Sequence, residues 1–278
     1  KTYNEWQEFE YSRVSNPTRK DFETMIALLE NGKHGFGFSS GMAATTSVFT
    51  MFKAGDHFVL SLDIYGGTYR IINDIFRKFG FEATFVDTTD LQQIEAAVRP
   101  NTKAIFIETP SNPLLEVTDI RGVVAIAKRH NLLSMVDNTF MSPVLQRPLE
   151  LGADIVLHSA TKFLGGHNDI IAGAVVVNSD ELAEKISFAQ VAIGAILSPF
   201  DSWLLLRSMK TLKLRVEKAQ ANTLKLLEFL PSHPEVEKVY YPTEAHNKGK
   251  AVHESQASGG GSVFSFTVKS EAKAKAFF

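Results

Sequence analysis

Six short runs rich in β-branched and aromatic residues, HFVLSL, EATFV, KAIFIE, LLSMV, DIVLH and GAVVV, recur between residues 57 and 177, separated by helix-patterned stretches of ten or more residues. Strands that alternate with helices fold into a mostly parallel sheet covered on both faces. Ligands of such sheets bind beyond the carboxyl ends of the strands, so the residues just after each run are the ones to inspect for chemistry. Ahead of this block, DFETMIALLEN (21–31) has helical spacing with Gly32 as its stop. SSGMAATTSVFTMF opens a second helix with Ser40 as its N-cap. From about residue 181 the chain turns strongly helical until Pro231 and Pro234 break the pattern, and VEKVYYP and GSVFSFTV then read as strands. The expected organisation is an N-terminal arm over residues 1–20, an α/β domain over 21–220, and a smaller, incomplete α+β domain over 221–278. SGGGS at 258–262 reads as a flexible turn before a strand.

Composition narrows the class of partner. A net charge of −2 gives no electrostatic reason to expect nucleic acid or an anionic membrane. No apolar run approaches the roughly 18 residues of a membrane span. Zero cysteine removes disulfides, thiolate metal sites and thiol nucleophiles together, and the cytoplasm is the expected compartment. The chain starts without Met and stops inside an amphipathic pattern, SEAKAKAFF, as a piece of a longer polypeptide would.

Asp137 follows LLSMV and Lys162 follows DIVLHSAT, 25 positions later, so both side chains are expected at one rim of the sheet. A buried carboxylate and a lysine facing one cleft suit pyridoxal phosphate: the amine bonds the cofactor aldehyde, and the carboxylate pairs with the pyridine nitrogen. Taken alone, an aspartate after a strand is more often a turn residue; the pairing is what carries the reading. A phosphate also needs donors. Gly41 and Met42 open the helix that follows SSG, where free N–H groups and the macrodipole favour an anion, and Ser159 and Thr161 place hydroxyls on either side of the lysine's approach. Tyr65, on the turn of DIYGGT, offers a ring for stacking. Tyr11, Arg13, Asn16 and Arg19 in EYSRVSNPTR suit a phosphate, and their place before the first helix suggests service to a neighbouring subunit.

The ordered motifs YSRVSNPTR, SSGMAA, YGGTYR, ETPSNP, VDNTF and SATKFLGGH resemble those of the pyridoxal-phosphate enzymes of cysteine and methionine metabolism, the transsulfuration family of cystathionine γ-lyase, cystathionine γ-synthase and the O-acylhomoserine sulfhydrylases. The resemblance implies the aminotransferase-like fold type I, with Lys162 as the Schiff-base lysine, Asp137 at the pyridine nitrogen and Tyr65 stacked on the ring and acting as a second acid or base. It implies Gly41, Met42, Ser159 and Thr161 on the phosphate, Asn112 near the phenolic oxygen, and Arg70 and Glu10 toward substrate. It also implies a homotetramer, a dimer of dimers in which Tyr11 and Arg13 reach the adjacent subunit's phosphate. Residues for the substrate α-carboxylate are expected beyond Phe278, in a segment carrying a serine-rich loop and an arginine. The implied activity is elimination at the γ-carbon of cystathionine, giving cysteine, 2-oxobutyrate and ammonia, with γ-replacement by a synthase or sulfhydrylase as the alternative.

Two rivals remain at this stage. GFSSG (37–41) matches the G-x-S-x-G nucleophile elbow of hydrolases, with Ser39 as nucleophile, but KHGFG is a poor strand to precede it. A catalytically incomplete fragment that binds cofactor without turnover is the other. His158 and His167 lack metal-ligand spacing, so no metal is assigned. Lys210, Lys213, Arg215 and Lys218 read as a solvated helix face, and Phe76, Phe79, Phe81 and Phe85 as core.

Overall fold

The computed structural model describes residues 9–277, so the first eight residues of the expected N-terminal arm lie outside the described residues. Its main sheet has seven strands in the spatial order β1 (His34–Phe38), β7 (Gly173–Val177), β6 (Ile155–Ser159), β5 (Leu133–Asp137), β4 (Thr102–Glu108), β2 (His57–Ser61) and β3 (Glu82–Val86). The pairs from β6 through to β3 are parallel, whereas β7 runs antiparallel to both β6 and β1. Every apolar run named above forms a strand.

Helices α1 (Pro17–Leu29), α2 (Gly41–Phe49), α3 (Gly66–Arg70), α4 (Leu91–Ala97), α5 (Ile120–Arg129), α6 (Ser142–Leu145), α7 (Asp180–Ile193), α8 (Pro199–Met209) and α9 (Leu212–Phe229) are distributed over the sheet. Alternate strand residues feed opposite faces, as the pleat demands. On β6, Ile155 and Leu157 join Val48 and Phe49 of α2 and Ile186 of α7 on one face. Val156 faces the other way, into Phe22 and Ile26 of α1, Leu205 of α8 and Val216 of α9. Phe49 meets Phe58 edge-on at 5.1 Å, with Phe76 and Phe106 at 6.0 and 5.8 Å. Beyond α9, β8 (Val236–Tyr240) and β9 (Ser265–Val268) form a two-stranded antiparallel sheet with α10 (Lys250–Gln256) and α11 (Glu271–Phe277). Among the described residues no helix is long and apolar enough to cross a membrane.

The structure corrects the sequence reading at several points. α1 starts at Pro17, not at residue 21, because Asn16 caps the amides of Thr18 and Arg19 and proline is preorganised for the first helical position. Its left-handed stop is Asn31, at φ 55°, rather than Gly32. The segment judged a poor strand is β1, in five-residue register with β7. Its glycines reflect crowding: a Cβ on Gly37 would sit 3.0 Å from the Phe22 ring of α1. The SGGGS segment is held by its neighbours, with the Gly261 amide donating to Gln220 of α9 at 2.9 Å and the Tyr241 hydroxyl to the Gly261 carbonyl at 2.8 Å. Phe76 and Phe81 are core and Phe85 is half-buried, but Phe79 is exposed. Arg215 is turned inward from α9, away from the solvated face expected for it, and donates to the Phe163 and Ser208 carbonyls.

Candidate active site

Strand register brings the site together. Glu108 stands opposite Asp137 across β4 and β5, Asp137 opposite Leu157 across β5 and β6, and Ser159 opposite Gly173, which is itself opposite Phe38. These carboxyl-end residues open into a cavity of about 680 Å³. Gly41, Met42, Tyr65, Asn112, Asp137, Ser159, Thr161 and Lys162 all line it. Six residues named for phosphate or substrate do not: Glu10, Tyr11, Arg13, Asn16, Arg19 and Arg70 lie outside the lining. Tyr11 is exposed with the Arg13 guanidinium 5.1 Å from its ring centre, and Arg13 donates to the Val191 carbonyl of α7 at 2.6 Å. Within one chain Arg13 therefore lies against α7, outside the lining of its own cavity. Arg70 closes α3 on the exposed side.

The cavity gathers two buried carboxyls, Asp137 and Glu108, and the amine of Lys162. Asp137 accepts from the Thr139 hydroxyl at 2.5 Å and from the Thr139 amide at 3.0 Å, an Asx turn that aims the carboxylate. Burial raises its pKa above the usual aspartate range, against the opposing pull of the Thr139 bonds and the charge of His158. Glu108 is pushed up to about 8 by burial and then by the charge of Asp137, although the Tyr65 amide bonds it at 2.8 Å. Desolvation disfavours both ionised carboxyls, and like charge adds to it at Glu108, so a cationic ring edge placed before them would be strongly favoured. In the same cavity, the Lys162 amine makes no ion pair or hydrogen bond with any described residue. Its backbone is held by the turn it begins, with Lys162 N–H on the Ser159 carbonyl at 3.1 Å and Gly166 N–H on that of Lys162 at 2.7 Å.

The anion cradle is formed where α2 meets β6. Ser40 caps the amide of Ala43, which leaves the first amides of the helix, those of Gly41 and Met42, directed outward without intrahelical acceptors. A Cβ on Gly41 would come within 2.9 Å of the Ser159 Cβ, so glycine lets the helix terminus sit flush on that strand end. Thr161 is less free than expected, because its hydroxyl is engaged with the Ala172 backbone. The donors, the buried acids and the free amine together fit a phosphorylated pyridine aldehyde.

Sequence reasoning missed Glu108 and Thr139. The signal for Thr139 was present as D-x-T after a strand, an Asx turn; Glu108 sits at the end of KAIFIE, where its like-charge relation to Asp137 exists only in three dimensions. His158, read as incidental, anchors a polar cluster on the opposite face of the sheet. It meets Glu30 at 2.5 Å, and Asn138 donates to the same Glu30 oxygen at 2.9 Å and to the Gln146 carbonyl at 2.7 Å. Gln146 continues to the Thr109 carbonyl at 3.2 Å. Thr109, Asn138 and His158 are chain neighbours of Glu108, Asp137 and Ser159, so one buried network ties three strand ends beneath the cavity. Ser39 follows β1 but has none of the left-handed strain of a nucleophile elbow, and Ser40 beside it is a helix cap; the G-x-S-x-G match is a coincidence of capping. No cluster of three or more potential ligand side chains forms a metal site among the described residues.

The family model described as Cys/Met metabolism PLP-dependent enzyme matches residues 1–278. A cystathionine gamma-lyase of Bacillus subtilis (strain 168) is 50% identical over 269 residues, covering 97% of this chain and 71% of that protein. A cystathionine beta-lyase of Lactococcus lactis subsp. cremoris (strain MG1363) is 51% identical over 271 residues, covering 98% and 71%. The crystal structure of cystathionine gamma-lyase from Lactobacillus plantarum complexed with L-serine superposes with a TM-score of 0.95 at 49% identity, over 97% of this chain and 71% of that one. A mostly parallel sheet with its acids, anion cradle and free lysine at one rim, matched along its whole length, places this chain in the family of pyridoxal-phosphate-dependent enzymes of cysteine and methionine metabolism.

Proposed function

We propose that this chain carries the cofactor on Lys162 and that its enzyme cleaves cystathionine at the γ-carbon, releasing cysteine, 2-oxobutyrate and ammonia. The observation that carries the reading is the unpaired Lys162 amine sharing one cavity with the buried Asp137 carboxyl. Bound pyridoxal phosphate supplies an aldehyde for amine capture and a ring that withdraws electrons from the substrate α-carbon. Asp137 holds the proton of the ring nitrogen, aimed by Thr139. Gly41 and Met42 N–H groups and the Ser159 hydroxyl hold the phosphate, with Thr161 at the lysine's approach and Asn112 beside the ring's oxygen. With the substrate amine in its place, Lys162 would take the proton from Cα, pass it on and then take one from Cβ, so that the electron pair left at Cβ expels the γ-sulfur, which leaves with a proton as the thiol of cysteine. Tyr65 covers the ring and serves as a second proton donor or acceptor.

Tyr11 and Arg13 are assigned to the phosphate of a neighbouring subunit in a homotetramer, with Glu10 and Arg70 toward substrate; the position of Tyr11 and Arg13 outside their own cavity supports this division of labour. The arm over residues 1–20, the domain over 21–220 and the smaller domain over 221–278 follow from the same reading, as does a cytoplasmic enzyme. Similarity to a γ-lyase over 97% of the chain supports γ-elimination, and the equal similarity to a β-lyase supports breaking the other C–S bond of the same thioether. Incubation of the cofactor-loaded enzyme with cystathionine alone separates them. A four-carbon keto acid with cysteine supports the proposal, pyruvate with homocysteine transfers the assignment to β-elimination, and no keto acid from cystathionine, with a sulfur-substituted amino acid and free carboxylate formed once an acylhomoserine and a thiol are supplied, assigns replacement.

A further inference from the structure

The loop that presents Lys162 is closed by an arginine from a distant helix. Within the loop, amides of Lys162, Gly165 and Gly166 return to the carbonyls of Ser159, Ala160 and Lys162. The carbonyl of Phe163, next to the lysine, is taken by Arg215 Nη1 at 2.8 Å. The same guanidinium places Nη2 on the Ser208 carbonyl at 2.9 Å and Nε on the Thr211 hydroxyl at 3.1 Å. Arg215 is thereby locked in one orientation by α8 and its own helix, and the free fork is aimed at the lysine loop. Gly166 completes the fit: its φ is +72°, and a Cβ there would overlap the guanidinium. Phe163 and Gly166 line the cavity beside Lys162. Five residues on, α9 also accepts the Gly261 amide through Gln220, and at Thr223 it bonds the Ser262 carbonyl at 3.3 Å, next to Val263, which also lines the cavity.

We infer that Arg215 is a positioning residue for Lys162: through Phe163 it fixes the loop so that the lysine amine meets the cofactor's aldehyde carbon. A guanidinium suits this task because three acceptors in fixed directions require its planar fork, which a lysine ammonium cannot reproduce. The inference rests on Lys162 being the cofactor lysine. It assigns Arg215 no contact with cofactor or substrate.

The test uses the cofactor-free protein with two probes. Pyridoxal 5'-phosphate condenses with the Lys162 amine, forming the C–N bond and releasing water. The corresponding alcohol, pyridoxine 5'-phosphate, fills the same cavity without bonding. In Arg215→Met the rate of attachment to Lys162, followed by visible absorbance and by mass after borohydride reduction, is expected to fall roughly tenfold to a hundredfold, the cost of misplacing a reacting group by about 1 Å. Affinity for the alcohol is expected to stay within about twofold of wild type. Arg215→Lys should resemble Arg215→Met, and Gly166→Ala, which displaces the guanidinium while leaving it in the sequence, should reproduce the same split. An unchanged attachment rate overturns the inference. So does a parallel fall for both probes, or loss of folding in both Arg215→Met and Gly166→Ala, since either result makes the contact a general structural one. A wild-type adduct on a residue other than Lys162 instead refutes the functional reading itself.

Discussion

Glu108 offers the sharpest test of the site's electrostatics because its cost is stored in the cofactor-free protein. The carboxyl is 8% exposed at the end of β4 and faces Asp137 across the strand pair. Burial, then the charges of Asp137 and Asp63, raise its pKa from 4.5 to about 8. The unfolded chain gives up this proton near 4.5 while the folded chain keeps it until about 8, so between those values the folded state binds more protons and stability falls as pH rises. The interval is about 3.5 pH units, which at about 1.4 kcal/mol per unit sets a ceiling of about 5 kcal/mol. Sharing of charge with Asp137 reduces the part that belongs to Glu108 alone, and about 2–3 kcal/mol is the expected effect.

Glu108→Gln removes the titration and keeps an acceptor for the Tyr65 amide. Urea unfolding of the cofactor-free proteins at about pH 5 and about pH 8 reads the difference directly. The variant should match wild type within ~0.5 kcal/mol at the lower pH and exceed it by about 2–3 kcal/mol at the higher. Equal loss of stability with pH in both proteins, or a variant weaker at both values, would refute the assignment of this cost to Glu108.

Gly173→Ala places a methyl against the Ser40 carbonyl, a backbone atom that cannot step aside; about 1–3 kcal/mol of stability should be lost, and pyridoxal phosphate affinity by equilibrium dialysis should fall at least tenfold as the α2 terminus shifts. Glu30→Leu strands the Asn138 amide and the His158 ring in a buried site, at a cost of about 3–5 kcal/mol in urea unfolding, whereas Glu30→Gln keeps the acceptor and should cost less than about half of that. Phe49→Ala removes the centre of an aromatic cluster and should cost about 3–5 kcal/mol by the same measurement, with Phe49→Leu well below that.

The main sheet was legible because its buried strands are unbroken β-branched and aromatic runs, and a run such as GAVVV has few other ways to satisfy its backbone. β1 was not, since HGFGF carries glycines chosen for the approach of α1 rather than for strand propensity, and its state is set by pairing with β7. Lys162 and Asp137 could be named from their places after strands, but Glu108, whose pKa is raised by burial and then by the charge of Asp137, is brought opposite Asp137 by register alone. Arg215 illustrates the limit of helical periodicity. Its spacing beside Lys213 and Lys218 matches a solvated face, yet one carbonyl left over by the lysine loop turns it inward. Tyr11 and Arg13 match their motif without lining the cavity of their own chain, and a motif match carries no information on which chain's cavity a residue serves.

Borohydride reduction of the cofactor-loaded protein, followed by peptide mapping, measures most directly whether the free amine beside the buried acids carries the chemistry. A single pyridoxyl adduct on Lys162, abolished in Lys162→Ala with the fold intact, is the expected result. An adduct distributed over exposed lysines such as Lys210 and Lys213, with Lys162 unmodified, would contradict it.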